Sequence, residues 1–191
     1  MEKRWVIKPK ADQKEVDHLA EILNINDLLA NLLVQRGIKT FDQAKKFFRP
    51  SLESLYDPFR MKDMNRAVER IEKAMHSNQK ILIYGDYDVD GTTSIAMVYS
   101  FLRKFYSNLD YYIPDRYAEG YGVSYKGINY AANNNVSLII ALDCGIKAVE
   151  KIDYANSLSI DFIICDHHTP EKSLPNAVAV LDPKRKDRKS T

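Results

Sequence analysis

Ile81-Leu82-Ile83-Tyr84, followed at once by Gly85-Asp86-Tyr87-Asp88-Val89-Asp90-Gly91, is the stretch that decides how this chain folds. The first four residues form a short, uninterrupted apolar run, the pattern of a strand buried on both faces. The residues after it bring three carboxylates between two glycines, which ends the strand and leaves acid at its tip. Similar runs follow at Leu109 to Ile113, Val136 to Leu142 and Ile160 to Cys165, with a weaker fifth at Ala177 to Leu181. Between them lie segments of helical character: Thr92 to Phe105, Tyr125 to Ala132 with Ser124 as a cap, and Ala148 to Leu158. Strands separated by helices of that length give crossover connections. The expected class is therefore α/β, a mostly parallel five-stranded sheet flanked by helices. In such sheets, ligands bind beyond the carboxyl ends of the strands.

Working upstream, apolar residues recur at Met64, Ala67, Val68, Ile71, Ala74 and Met75, the spacing of a helix with one buried stripe. Thr40-Phe41-Asp42-Gln43 has the form of a capping box opening a helix over Phe41 to Phe48, which Arg49-Pro50 closes, and Gly37 ends the helix before it. The expected organisation is a small helical N-terminal lead-in over residues 1–57 and the α/β domain over residues 58–191.

Composition removes several classes. With 191 residues, 45% of them hydrophobic and 28% charged, the chain can bury a real core, and 7 Gly and 7 Pro leave little room for low-complexity linker. The longest apolar run is too short to cross a bilayer. The opening Met1-Glu2-Lys3-Arg4 lacks a secretion signal, so a cytoplasmic protein without a membrane partner is expected. Cys144 and Cys165 show no CxxC spacing and read as reduced, half-buried fillers rather than a zinc knuckle or a disulfide. A net charge of +2 neither demands nor forbids nucleic acid.

The chemistry sits at the strand ends. The first run ends in Asp86, Asp88 and Asp90, the third in Asp143-Cys144-Gly145, and the fourth in Asp166-His167-His168. Carboxylates gathered at one sheet edge repel one another unless a cation neutralises them, which implies a metal. Oxygen and imidazole donors without a required thiolate suit Mn²⁺ or Mg²⁺ better than Zn²⁺. Asp-x-Asp-x-Asp-Gly alone also suits a calcium loop, but an EF-hand needs a helix before Asp86 and a Glu twelve positions in, where this chain has a strand and Met97. Asp88-Val89-Asp90-Gly91-Thr92 matches the DxDGT signature of haloacid-dehalogenase-like phosphatases too, yet there the Asp follows its strand directly. His18 and His76 fall on helices outside this cluster and receive no role.

Gly-Asp-Tyr-Asp-Val-Asp-Gly, Leu-Asp-Cys-Gly and Asp-His-His resemble, in order and spacing, the first three motifs of the DHH phosphoesterase superfamily. Leu33 to Ile38, Asp57-Pro58-Phe59, Tyr112 to Arg116, Glu119-Gly120-Tyr121-Gly122 and Leu174 to Ala177 are similar to the RecJ-type single-strand-specific exonucleases within it. The resemblance implies a site holding two Mn²⁺ or Mg²⁺ ions that attacks a phosphodiester with water. It makes Asp88, Asp90, Asp143 and His167 metal ligands, Asp143 between the ions, with Asp86 as a further or outer carboxylate. His168 would touch the scissile phosphate and Asp166 would orient the histidines. Because a strand sends neighbouring side chains to opposite faces, the backbone must turn for His167 and His168 both to reach the site.

Two departures are expected to matter. Many superfamily members carry a ligand His four residues before the second motif-one Asp, where this chain has Tyr84, so the first metal position would rest more heavily on Asp86. The fourth-motif Asp, a second core domain and an OB-fold fall beyond Thr191, and the closing Lys184 to Thr191 reads as a frayed end. Arg116, Tyr117, Tyr121, Tyr125 and Lys126 follow the second strand, and basic residues interleaved with aromatic ones suit a path for single-stranded nucleic acid, or else the tyrosines pack a loop. The resemblance implies a monomer that digests single-stranded DNA from the 5′ end in repair and recombination, weak or inactive as these 191 residues alone. A DHH phosphoesterase of short oligonucleotides or dinucleotides, and a non-catalytic binding fragment, are the alternatives.

Overall fold

A computed structural model describes residues 4–187; the opening Met1 to Lys3 and the final Arg188 to Thr191 lie outside the described residues. The chain divides into two compact units, residues 1–56 and 57–191. In the first, helices α1 (Gln13–Leu23), α2 (Asp27–Val34) and α3 (Phe41–Phe48) each start on a side-chain cap, from Asp12, Asn26 and Thr40. Gln43 completes the capping box by accepting from the amide of Lys39, one residue before Thr40. After α2 the chain closes on Gly37, whose φ of 81° lets its own N–H reach Val34 and the next N–H reach Leu33. Val16, Leu19, Ala30, Leu33 and Ala44 form this unit's core.

The second unit runs α4 (Met64–His76), β1 (Lys80–Gly85), α5 (Val89–Leu102), β2 (Leu109–Tyr112), α6 (Tyr125–Asn133), β3 (Val136–Leu142), α7 (Val149–Ser157), β4 (Asp161–Cys165) and β5 (Ala179–Leu181). Every strand pairing is parallel, in the order β2-β1-β3-β4-β5. The sheet is thus wholly rather than mostly parallel, with α-helices packed on both faces. Alternate side chains serve opposite layers. Leu82, Tyr84, Ile139, Ala141, Phe162 and Ile164 pack on the side of α6 and α7, whereas Ile81, Ile83, Leu138, Ile140 and Ile163 pack on the side of α4 and α5. Burial on both faces explains why these strands read as unbroken apolar runs. The strand order reverses between β1 and β3, and at such a switch point the diverging connections open a crevice at the carboxyl ends.

Boundaries moved where a side chain decides them. Helix α5 starts at Val89, earlier than Thr92, because the Asp88 carboxylate caps it through the Gly91 N–H. Strand β5 is shorter than expected because Ala177 lies before the pairing that begins at Ala179. The segment after β5 is not frayed through Asp187. Arg185 is 6% exposed, donates through Nη1 to the Val180 carbonyl and to Asp63 Oδ2 at 2.6 Å, and holds Asp187 with Nε and Nη2 at 2.9 and 2.8 Å. Lys62 reaches the same Asp187 carboxylate at 2.7 Å. The residues after β5 are therefore fastened to the start of α4, where Asp63 adopts a φ of 68°.

Removing Arg185 would leave Asp63 with only the more exposed Arg66, at 3.5 Å, as counter-charge. Burial alone would raise the Asp63 pKa, but the Arg185 hydrogen bond and charge outweigh it and lower the pKa. A carboxyl lowered on folding contributes stability above its unfolded pKa and loses it as pH falls through the folded value. Arg185→Met should cost about 3 kcal/mol at neutral pH in urea unfolding, the range for breaking a buried pair. The loss should shrink in the Arg185→Met/Asp63→Asn double variant and as pH drops below 4; a loss that is additive and independent of pH would contradict this clamp.

Candidate metal centre

The register Gly85, Leu142, Cys165, Leu181 aligns four strand ends, so the next residues, Asp86, Asp143, Asp166 and Asp182, leave the sheet at one level. Asp86 is wholly buried, and its two oxygens accept from the N–H groups of Tyr87 at 2.7 Å and Gly122 at 2.8 Å. Asp88 caps α5, and Asp90 lies exposed in that helix's first turn, where the helix dipole favours an anion. Gly91 lets the turn sit against the strand end: a Cβ there would lie 2.4 Å from the Asp86 carbonyl oxygen. Asp182 is buried, and its Oδ1 accepts from the Lys184 N–H at 2.6 Å.

At the end of β3, Asp143 takes a left-handed φ of 59°, which Asp tolerates better than most residues, while its N–H donates to the Cys165 carbonyl at 2.8 Å. At the end of β4, Asp166 makes the turn that the paired histidines need. Its Oδ1 accepts from the backbone N–H groups of His167 and His168 at 2.7 and 3.0 Å and lies 2.7 Å from His168 Nδ1, and its Oδ2 accepts from the Ile146 N–H at 2.9 Å. Both rings consequently face the end of β3, with centroids 4.8 Å apart. His167 Nε2 lies 3.0 Å from Asp143 Oδ1. Donor atoms of Asp143, His167 and His168 all fall within 4.8 Å of one another, the group among the described residues able to hold a metal ion. Asp86, Asp88, Asp90 and Asp166 stand outside that group.

Burial raises the Asp143 pKa, and the Asp88 charge raises it further, against the opposing pull of His167 and His168. A cation would relieve that strain. Adjacent donors on one ion with bonds of about 2.1 Å at right angles sit about 3 Å apart, which the Asp143–His167 pair meets. Cys144 and Cys165 add no thiolate, since burial pushes both thiols up. Cys144 is in fact fully rather than half-buried.

Several residues given no role in the sequence reading build the loop over this edge. The Tyr84 hydroxyl donates to the Gly122 carbonyl at 3.0 Å and accepts from the Ser124 N–H at 3.1 Å, so this wholly buried side chain fastens the loop from within the core. Glu119 accepts from Tyr112, from the Asp115 N–H and from Ser124. The Tyr112 to Arg116 and Glu-Gly-Tyr-Gly segments carried the sequence signal for this loop. Gly122, with a φ of 82°, aims its N–H at Asp86. Tyr121 Oη lies 3.3 Å from His168 Nε2, and burial followed by the charges of Asp86, Asp143 and Asp88 pushes its hydroxyl up to about 12. From there a ladder runs outward: the Tyr87 ring is 6.1 Å from Tyr121, and the Arg116 guanidinium is 5.5 Å from Tyr87. Of the other expected nucleic-acid contacts, Tyr117 is 95% exposed, Tyr125 packs edge-on against Tyr154, and Lys126 lies 3.9 Å from Glu119.

Residues 80–191 match the family model described as "DHH family, N-terminal domain". The chain belongs to the DHH family. This DHH chain is 43% identical over 182 residues to the single-stranded-DNA-specific exonuclease RecJ of Bacillus subtilis, covering 95% of the chain and 23% of that protein. The Escherichia coli protein of the same name is 31% identical over 177 residues, covering 92% of the chain and 30% of that relative. The chain thus spans about a quarter of the length of these relatives. Among solved structures it is similar to an exonuclease RecJ bound to manganese, at 27% identity and a TM-score of 0.64, over 71% of this chain and 35% of the other. The fold also matches RecJ from Thermus thermophilus at a TM-score of 0.68, 22% identity, 95% of this chain and 25% of that one.

In this DHH site Asp166 orders the strand end rather than meeting solvent. Burial raises its pKa, but the N–H groups of Ile146 and His168, the His168 ring and the His167 N–H together lower it. The stability it contributes is present above its unfolded value of 3.8 and fades as pH falls through the lower folded value. Asp166→Asn should therefore destabilise the chain at pH 7 by about 1.5–3 kcal/mol, the scale of hydrogen bonds to a charged group. In urea melts across pH, the two proteins should converge below pH 4. A gap of equal size at all pH values would show that the charge is not what holds this turn.

Proposed function

We propose that this chain carries the metal-binding part of a phosphodiester hydrolase, an exonuclease that digests single-stranded DNA from the 5′ end in repair and recombination. The observation that carries this reading is the gathering of Asp143, His167 and His168 within 4.8 Å, in a chain 43% identical over 182 residues to a single-strand-specific exonuclease. Asp88, Asp90, Asp143 and His167 would hold Mn²⁺ or Mg²⁺, as their hard oxygen and imidazole donors favour. When bound, such ions polarise phosphoryl oxygens and make water nucleophilic at neutral pH.

The protein's own contribution is placement. Asp166 holds the His168 Nδ1 side, so Nε2, which lies 3.3 Å from Tyr121 Oη, is the ring nitrogen that would reach the scissile phosphate. Asp86, with both oxygens on backbone N–H groups, fixes the β1 exit and the Gly122 loop, and we assign it to that task rather than to a direct bond with an ion. Arg116 and Tyr87 lead to Tyr121 beside His168, a guanidinium for phosphate and rings for bases. Tyr117, Tyr125 and Lys126 would touch the strand further out, if a longer stretch is bound. The partner proposed is single-stranded DNA, met in the cytoplasm by a monomer. These 191 residues alone should turn over slowly, as they span about a quarter of the relatives' length.

Mn²⁺ should stabilise the chain by about 2.7 kcal/mol at a hundredfold excess over its Kd. That corresponds to a rise of about 5–10 °C in a melt of a chain this size. Asp143→Ala should lose the rise. No rise in the parent chain, or an equal one in the variant, would refute the site.

The substrate is tested with a 5′-labelled oligonucleotide, single-stranded beside duplex. Slow, Mn²⁺-dependent shortening of the single strand, lost in Asp143→Ala, is expected. Arg116→Ala should weaken single-strand binding and reduce the slope of log affinity against log salt by about 0.7, the value of one phosphate contact. Equal use of duplex, or a slope unchanged by Arg116→Ala, would overturn the proposed substrate or path respectively.

A further inference from the structure

The N-terminal unit supplies none of the metal-centre residues, yet it exposes apolar side chains that its own core does not use. Helix α3 buries only Ala44 and leaves all three of its phenylalanines outside the core. Leu29, Leu32, Phe41, Phe47 and Phe48 are each 40–64% exposed. They line two adjoining pockets, of about 470 and 360 Å³, which share Leu23 and Phe48 and so make one groove along α2 and α3. Contiguous exposed apolar surface with a polar rim marks an interaction site.

The charges at this groove are of one sign. Residues 1–56 mix acidic and basic side chains in near balance, but the charged residues lining the two pockets are Arg36, Lys45 and Arg49. None of the three is in an ion pair among the described residues, and the pair that this unit does form, Lys39 with Glu15, lies outside the lining. An apolar floor rimmed by unpaired cations is complementary to an apolar segment flanked by acid.

Backbone chemistry decides the shape of that segment. The walls are helices whose N–H and C=O groups bond within themselves, so an extended peptide would find no ladder of backbone partners here. A helix brings its own hydrogen bonds and needs only a groove for its apolar face. A lipid surface cannot enter a concave groove. Aliphatic walls of Leu23, Ile25, Leu29 and Leu32 give no flat platform for bases, and the Phe47 and Phe48 rings meet edge-on at 5.0 Å.

We propose that the α2–α3 groove docks an acidic amphipathic helix of a protein partner. The helix seats one large apolar side chain in each pocket and turns its Glu or Asp flanks to Arg36, Lys45 and Arg49. This site stands independently of the phosphodiesterase reading.

The probe is a synthetic helix-forming peptide of about 18 residues, or about five turns, with Leu and Phe at i, i+3 and i+7 and Glu on both flanks. It is titrated into the 191-residue chain by fluorescence anisotropy. It should bind about tenfold more tightly than the same peptide with Lys in place of Glu, and than a scrambled acidic peptide of the same composition. Phe48→Ala, at the wall common to both pockets, should weaken it about tenfold, and Leu29→Ala about fivefold. Because these side chains are exposed, the thermal melt should keep its midpoint in both variants. Lys45→Glu/Arg49→Glu should exchange the preference, so that the lysine peptide binds better than the glutamate one. A gain of affinity for the lysine peptide cannot come from unfolding. Equal binding of the three peptides, or a preference indifferent to the charge reversal, overturns the proposal. So does a single-stranded oligonucleotide that displaces the peptide and itself loses affinity in Phe48→Ala, since nucleic acid would then be the occupant. Self-association of the chain that Phe48→Ala abolishes also overturns it, in favour of a second copy.

Discussion

Carboxylates that leave a parallel sheet at one level repel each other, and the arrangement of this protein follows from how each negative charge is balanced. Asp86 and Asp166 are given two or more backbone N–H groups, and Asp88 is given the start of a helix. Asp143 has an imidazole where its neighbours have amides. Balanced by amides at both oxygens, as Asp86 and Asp166 are, a carboxylate becomes a structural element that fixes the chain around it. Balanced only by a ring that can itself bind metal, Asp143 keeps its charge available. What separates Asp143 from Asp86 and Asp166 is therefore its hydrogen bonding, not its residue type.

Much of the fold was legible because a strand covered on both faces must be apolar throughout, and Leu82 to Tyr84, Leu138 to Leu142 and Phe162 to Ile164 are. Strand order and register were not, since they depend on how helices pack across the sheet rather than on any local pattern. The need for a turn at the paired histidines was legible from strand geometry, but its agent was not. Nothing in a lone Asp before two histidines states that one oxygen will serve both N–H groups and a ring. The tail misled for a related reason. Lys184 to Asp187 looks like a solvated charge run, yet Arg185 is buried because Asp63, far off in sequence, supplies its partner.

The loop from Asp115 to Ser124 links the scaffold to the exposed face. Glu119 gathers Tyr112, Ser124 and the Asp115 N–H, so the loop closes on itself and on β2. Gly122 then connects it to Asp86 and to Tyr84. A loop tied at these points presents Tyr121 and Arg116 from a held base, and contacts made from a held base lose less entropy on binding than contacts from a loose one.

Tyr84 shows what a changed motif position can do for the chain around it. Four residues before Asp88, it stands where many superfamily members carry a ligand histidine, which suggested that Asp86 would compensate. The strand directs this side chain into the layer beneath α6, where its ring stacks 5.5 Å from Tyr112 and its hydroxyl bonds the Gly122 loop. Asp86 reaches that same loop from the other end of its hydrogen-bonding capacity. Both residues therefore act on loop position. The consequence is that Tyr84 and Asp86 together set the position of the Gly122 loop at the carboxyl ends of the strands.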